Sequence, residues 1–339
     1  MRLQSLLPPA VVCLACVWCT GRALAEPFVP RSDDQVVERL PLRASDAAAR
    51  ELAALRAQWR REPGNADAAV ALALAYIDRA AADGDPRYVG YAQSALQRWW
   101  GMPEPPAAVR TVRAIVLQHD HRFDAALADL AAAAQVNPDD PLVWSWSTAI
   151  HLVRGDLDAA RASCQRLAAL TPDLVGAACR AQIDALTGFA AQASTALRAA
   201  LRADDGSDPA LRLWTLTRLA ETEERAGNAA AAESAYREAL ALQRPDVYLR
   251  AAYADFLLDQ GRAGDVLTLL QDQRRSDVLL LRLAIAAKAT GDARRDAFAR
   301  ELAARFDAAR ARGDTSHEKE ESRFALAVQG QAERALQLA

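Results

Sequence analysis

Three adjacent side chains in the first half of the sequence could bind a metal ion. His119, Asp120 and His121 follow one another, and imidazole and carboxylate groups are ordinary zinc ligands. Two histidines separated by a single residue rarely build a closed site by themselves, and a solvated polar turn accounts for the same residues. The sequence therefore favours a polar turn and leaves a metal site at these three residues as the alternative.

The other chemically active side chains form no recognised catalytic arrangement. The stretch from His317 to Glu321 lacks the second histidine of the H-E-x-x-H zinc motif. It is typical instead of an acidic helix N-terminus, where carboxylates interact favourably with the helix dipole. No glycine-rich phosphate loop, G-x-S-x-G motif or Ser-His-Asp spacing can be recognised. We therefore expect no enzymatic activity and no cofactor.

The first 25 residues have the features of a secretory signal peptide. Arg2 precedes an apolar stretch over residues 6–19, which is too short to span a bilayer comfortably, and residues 23–25 (A-L-A) match a cleavage site. We expect cleavage after Ala25 and a periplasmic or otherwise exported mature protein. A form anchored by a lipid on Cys16 is the alternative.

The charge and hydropathy of the chain argue against two classes of partner. The sequence has 41 basic and 44 acidic residues and a net charge of −3, so it lacks the basic surface that nucleic-acid binding requires. No apolar stretch after the signal is long enough to predict a transmembrane span. We expect neither nucleic acid nor a membrane span in the mature protein.

A period of 34 residues organises the rest of the chain. Pro138 and Pro172 are 34 residues apart, and so are Gly227 and Gly261. The periods have a helical composition, and most have a glycine in the middle, which His121 replaces in residues 107–140. Pro138 and Pro172 close two of them. This pattern resembles the tetratricopeptide repeat (TPR), whose consensus combines W-x2-L-G-x2-Y, a turn glycine, A-x3-F and a closing proline.

The resemblance implies an all-α fold, an α-solenoid of about seven to eight TPR-like antiparallel helix pairs. We predict the signal over residues 1–25, an irregular lead over 26–44 and the solenoid over 45–339. The copy at 141–174 matches through Trp144, Gly155, Ala160 and Pro172. The clearest repeats are predicted at residues 107–140, 141–174, 213–246 and 247–276.

In TPR proteins the first helix of each repeat lines a concave groove, and the resemblance places two sets of residues there. Their aromatic and acidic side chains suit an extended, partly basic peptide with an aromatic or apolar anchor. A solvated helix face is the alternative account of the same acids. The predicted groove residues are Trp214, Thr217, Glu221, Glu224, Arg225, Tyr248, Asp255 and Asp259.

Two of the five cysteines, Cys164 and Cys179, remain after the predicted signal. The repeat pattern puts them on neighbouring helices, the second helix of one repeat and the first helix of the next. An even pair in an oxidising compartment is a candidate disulfide, and two small buried thiols are the alternative. Taken together, the sequence predicts an exported scaffold or adaptor that binds a protein of the cell envelope and performs no chemistry. An envelope metal-handling protein is the alternative function.

Overall fold

The computed structural model describes Ser32 and residues 46–206, 208–311, 313 and 318–339. The predicted signal peptide, the predicted lead apart from Ser32, and His317 lie outside the described residues. Within them the secondary structure is entirely helical. The helices of the first half are α1 Ala47–Arg61, α2 Ala66–Asp83, α3 Arg87–Ala95, α4 Gln97–Trp100, α5 Ala107–His119, α6 Phe123–Val136, α7 Pro141–Arg154, α8 Leu157–Leu170 and α9 Asp173–Leu186. Those of the second half are α10 Ala190–Ala203, α11 Pro209–Arg225, α12 Ala229–Ala241, α13 Val247–Asp259, α14 Ala263–Leu269, α15 Asp277–Thr290, α16 Arg295–Ala311, α17 Glu318–Phe324 and α18 Ala332–Leu338, with a π-helical turn Ala325–Gln329 extending α17.

These helices form an α-solenoid of antiparallel pairs, as predicted. Eight pairs can be distinguished in the described residues, each a first helix followed by its partner. The pairs are α2 with α3, α5 with α6, α7 with α8, α9 with α10, α11 with α12, α13 with α14, α15 with α16, and α17 with α18. Each pair packs against the next along the chain, because a single pair cannot bury its apolar face alone.

The turn inside most pairs depends on a backbone conformation that favours glycine. Gly155 ends α7 with φ 75°, and its backbone N–H donates to the carbonyl of Leu152. A left-handed residue at this place closes the helix and lets the chain reverse. In the pair α5–α6 the same place is held by His121, which adopts φ 57°. That residue is therefore in a conformation that side chains with a Cβ rarely adopt.

The next pair begins at an aspartate followed by a proline. The Asp140 carboxylate accepts a hydrogen bond from the backbone N–H of Leu142 at 2.9 Å, and Pro141 is the first residue of α7. Asp208 and Pro209 repeat the arrangement at the start of α11. The aspartate satisfies an N–H that has no partner within the helix, and proline needs none at that position.

The core runs along the solenoid between successive pairs, and small side chains dominate it. Ala160 and Ala232 are fully buried at the close-packed positions of α8 and α12. Helix α1 precedes the first pair, with Leu52 buried and the indole N–H of Trp59 donating to the carbonyl of Ala95 at 3.1 Å. At the other end Leu336 is 80% exposed, in the last helix.

The solenoid also makes a contact between pairs that are far apart in sequence. A Cβ added at Gly84, at the end of α2, would lie 2.5 Å from Oγ of Ser276 and 3.0 Å from Cγ1 of Val247. Those two residues precede α15 and begin α13. We call this contact of Gly84 with Val247 and Ser276 the seam. It brings the first pair against the sixth and seventh pairs, which the spacing of the repeats does not indicate.

Candidate binding site

A cavity of about 930 Å³ lies within the curve of the solenoid. The first helices of seven described pairs contribute to it, all except α9. Because the seam brings α2 against α13, residues of the first and the later pairs line the same partly open cavity. Its walls consist of Ile77, Ala80, Ala81, Gly84, Pro86, Val89, Ile115, Gln118, His119, Trp146, Glu221, Glu224, Arg225, Tyr236, Val247, Tyr248, Ala251, Ala252, Asp255, Val278, Arg282, Lys319 and Glu320.

Two glutamates on α11 each accept a hydrogen bond from a tyrosine. The Tyr248 hydroxyl donates to Oε1 of Glu221 at 2.5 Å, and the Tyr236 hydroxyl donates to Oε1 of Glu224. Glu221 and Glu224 are three residues apart, so both lie on one face of the helix. The two carboxylates therefore face the cavity as a pair.

An arginine covers one side of this pair. The guanidinium carbon of Arg218 lies 4.6 Å from the centre of the Tyr248 ring, and Nη1 of Arg218 lies 3.0 Å from Oε2 of Glu221. The first contact is a cation–π interaction and the second an ion pair. Arg225, about two turns further along, donates to the main-chain carbonyl of Glu221 at 3.2 Å.

Glu224 is the carboxyl whose ionisation the surroundings oppose. Burial, together with the negative charges of Glu221 and Asp259, raises the pKa of Glu224 above its usual range, although the Tyr236 hydrogen bond acts in the other direction. Burial and the bond to Glu224 also raise the pKa of Tyr236, which keeps this hydroxyl a neutral donor. The negative charge at Glu224 is thus incompletely balanced by the protein.

Asp255, on α13, is the opposite case. Burial acts to raise its pKa, but hydrogen bonds and charges from Arg323 and Arg282 outweigh burial and lower it. Oδ2 of Asp255 lies 2.6 Å from Nη2 of Arg282, and Oδ1 lies 2.7 Å from Nη2 of Arg323. This carboxylate is held by two arginines of the later pairs, so its charge is balanced within the protein.

The structure brings together five of the eight predicted groove residues and leaves three apart. The five that line the cavity are Glu221, Glu224, Arg225, Tyr248 and Asp255. Thr217 is buried and its hydroxyl donates to the carbonyl of Leu213, whereas Trp214 packs half-buried against the core. Asp259 is exposed and does not line the cavity, and it acts on the cavity through the charge that it places near Glu224.

The fold of the chain resembles solved helical-repeat structures at low identity. The crystal structure of PilW, a widely conserved type IV pilus biogenesis factor, is 18% identical, with a TM-score of 0.45 over 59% of this chain and 94% of that one. A thermophilic TPR protein from Thermus thermophilus is 24% identical, with a TM-score of 0.41 over 60% of this chain and 98% of that one. A tetratricopeptide repeat protein from Parabacteroides merdae is 14% identical, with a TM-score of 0.45 over 78% of this chain and 98% of that one.

A scan against protein-family models and a search of curated proteins each find no match to the chain. What the site can do therefore follows from its own geometry.

The three residues of the metal alternative are not arranged around a common point. His119 lines the cavity, while Asp120 and His121 are exposed in the turn between α5 and α6. The His121 ring stacks on Phe123, with the ring centres 5.7 Å apart. Over the described part of the chain, no group of three or more His, Cys, Asp or Glu residues is placed to hold a metal ion. The structure therefore gives the metal alternative no support.

Cys164 and Cys179 lie side by side. Cys164 on α8 and Cys179 on α9 are both buried, and their Cα atoms are 5.9 Å apart. That Cα separation falls within the range of about 4.4–6.8 Å found for disulfides. The placement on adjacent helices of neighbouring pairs agrees with the one that the repeat resemblance implies.

The cavity also contains residues from distant pairs that the predicted groove did not include. Ile77 and Val89 come from the first pair, and Lys319 comes from the last pair. Each carries a type of side chain that gives no local signal of a site. Their convergence depends on the curvature accumulated over all the intervening repeats.

Proposed function

We propose that this protein is a binding protein that holds a short segment of another protein in the central cavity and performs no chemical step. The observation that carries the proposal is the cavity itself, whose walls come from the first helices of seven pairs and whose volume is about 930 Å³. This volume is near the upper end of the range of about 300–1,000 Å³ typical of ligand sites. A folded domain cannot enter such a space, whereas an extended segment with a few side chains can.

The lining supports a segment with both apolar and polar side chains. Isoleucine, valine and tryptophan side chains provide surface that gains free energy when it is removed from water. The carboxylates and hydroxyls of α11, α12 and α13 provide fixed hydrogen-bonding groups that orient what is bound. Recognition would rest on the shape and charge of the cavity walls.

We further propose that the partner is itself exported. The support is the predicted signal peptide over residues 1–25, which matches the pattern of a cleaved leader. Among the described helices, none is both long enough and apolar enough to cross a membrane. The partner would then be a protein of the periplasm or the cell envelope.

Filling the cavity tests the proposal. Ala81 is exposed and lines the cavity, so Ala81→Trp should occupy the space without disturbing the core. The matched control is Ala191→Trp, an exposed alanine on α10 outside the cavity. Crosslinking in native cell-envelope fractions, followed by mass spectrometry, would identify the bound protein. We expect Ala81→Trp to lose it and Ala191→Trp to retain it. Equal recovery by both variants would place the binding surface elsewhere and overturn the proposal.

A further inference from the structure

We infer that the bound segment is anchored by one cationic side chain, a lysine or an arginine, seated at Glu221 and Glu224, with an apolar side chain next to it against an apolar wall formed by Ile77 and Trp146. This inference rests on the proposed function and names the chemistry of the segment. It follows from the balance of charges around Glu224 and from the position of the apolar wall.

The charges closest to Glu224 leave one negative charge unmatched. Glu221, Glu224 and Asp259 are acidic, while Arg218 and Arg225 are basic. Arg218 is already engaged by the Tyr248 ring and Glu221. Arg225 directs a hydrogen bond to a main-chain carbonyl, and its charge offsets only part of the effect of burial and of the neighbouring acids, since the pKa of Glu224 stays raised. A cation from outside the protein can supply the missing partner, and it would be attracted more strongly in a partly enclosed cavity than in open water.

The remaining charged groups around the cavity do not change this local balance. Asp255 lies between Arg282 and Arg323, so it is matched without a ligand. Lys319 and Glu320 are adjacent on α17 and carry opposite charges, and His119 lies on α5. The pair at Glu221 and Glu224 is thus the part of the cavity where an added positive charge is favoured.

The apolar wall determines what accompanies the cation. Ile77 on α2 and Trp146 on α7 line the cavity and are partly exposed. Val89 and Ile115 also line it, but they are already buried and add little surface. A segment that pairs a basic residue with a neighbouring apolar residue would bury apolar area on this wall while its cation meets the carboxylates. A purely basic segment would leave the wall without a partner.

Selection from a random peptide display library on the full chain separates this inference from the proposed function. We expect enriched peptides that share a lysine or arginine beside an apolar residue, and we expect that enrichment to vanish on the Glu221→Gln, Glu224→Gln double variant. Peptides enriched without a shared cation would overturn the inference and leave the proposed function supported. If no peptide is enriched on a folded chain, both fail.

A binding cycle with one selected peptide measures the contact directly. Fluorescence anisotropy would give its dissociation constant for the wild type, for Glu224→Gln and for the control Glu333→Gln, which removes an exposed acid on α18 outside the cavity. Replacing the peptide's lysine or arginine by norleucine completes the cycle. We expect Glu224→Gln and norleucine each to weaken binding about tenfold or more, with little further loss when they are combined. Additive losses, or an equal loss for Glu333→Gln, would contradict a direct contact at Glu224.

Discussion

Two carboxylates of the cavity have pKa values that are shifted in opposite directions. Glu224 is opposed by burial and by neighbouring acids, which raise its pKa, whereas Asp255 is held ionised by Arg323 and Arg282, which lower its pKa against the effect of burial. A group with a raised pKa binds more protons in the folded state, so its contribution to the free energy of unfolding falls as pH rises. A group with a lowered pKa does the reverse.

Replacing Glu224 by glutamine should therefore stabilise the protein at neutral pH. The amide keeps an oxygen that can accept the Tyr236 hydrogen bond, and it removes a charge that the surroundings oppose. We expect a higher unfolding midpoint than the wild type at pH 7, and a difference that disappears as pH falls through the usual carboxyl pKa of about 4.3. Urea unfolding followed by circular dichroism across this pH range measures it. A lower midpoint at pH 7 would contradict the assignment.

Replacing Asp255 by asparagine should have the opposite dependence on pH. The variant loses the charge that Arg282 and Arg323 hold. We expect it to be less stable at pH 7 by about 1.5–3 kcal/mol, the range for hydrogen bonds to charged groups. The two proteins should converge as acid protonates Asp255 in the wild type, below its usual pKa, because the native contact is lost there. An effect that stays constant with pH would indicate a packing defect instead of a lost charge.

At the scale of the helix pair, substitutions of the turn glycines can distinguish the cost of backbone strain from the cost of a packing collision. A Cβ added at Gly155 meets nothing within 4 Å, yet its φ is 75°. We expect Gly155→Ala to destabilise by about 1 kcal/mol through the left-handed conformation alone. Gly64 also has open space around it but has no left-handed φ, so Gly64→Ala is the matched control and should be neutral or slightly stabilising. Equal losses in the two variants would rule out strain as the cause.

A disulfide between Cys164 and Cys179 remains a prediction. It would link α8 to α9 and so join two neighbouring helix pairs. A disulfide closing a loop of 15 residues is expected to contribute about 3 kcal/mol, mainly by restricting the unfolded chain. We expect a reductant to lower the unfolding midpoint of the wild type and to leave the Cys164→Ala, Cys179→Ala variant unchanged. Alkylation of the denatured, unreduced mature protein, followed by mass spectrometry, should find both cysteines unmodified. Two alkylated thiols would favour the alternative of buried free cysteines.

The local elements were predictable because each depends on a few adjacent residues. Gly155 and Gly261 both adopt positive φ, as expected of turn residues. His121 adopts the same backbone conformation although it is not glycine. The 34-residue spacing therefore located this turn correctly, whereas the residue type alone would not have done so. The pairing of helices is local in sequence, and the spacing of glycine and proline was enough to predict it.

At the scale of the whole molecule, prediction was limited by geometry that accumulates from pair to pair. The acids of α11 and α13 were predicted to face the concave surface because they occupy fixed positions in their repeats. Nothing in the spacing indicated that Gly84 would meet Ser276, since the curvature that joins them is the sum of many small rotations. The cavity, and the contribution of α2, α15 and α17 to it, could not be predicted for the same reason.

The seam provides a test at this scale. Gly84→Ala combines a left-handed φ of 62° with a collision against Oγ of Ser276, whereas Gly155→Ala has the strain without the collision. We expect Gly84→Ala to destabilise more than Gly155→Ala and to increase the radius of gyration in small-angle X-ray scattering. Adding Ser276→Ala removes the nearest atom, which has no hydrogen-bond partner of its own among the described residues, and should restore part of the loss. Equal destabilisation by the two alanine variants with unchanged scattering would contradict a tight seam.

The seam has a consequence for how such a gene can change length. Open repeat arrays tolerate the duplication or deletion of a whole repeat, because each copy needs only its neighbours. Here the contact of Gly84 with Val247 and Ser276 forms only if a fixed number of helix pairs lies between α2 and α13. One copy added or lost between α2 and α13 would rotate these ends out of phase, so we expect natural variants to vary in copy number outside this span and to keep the count within it.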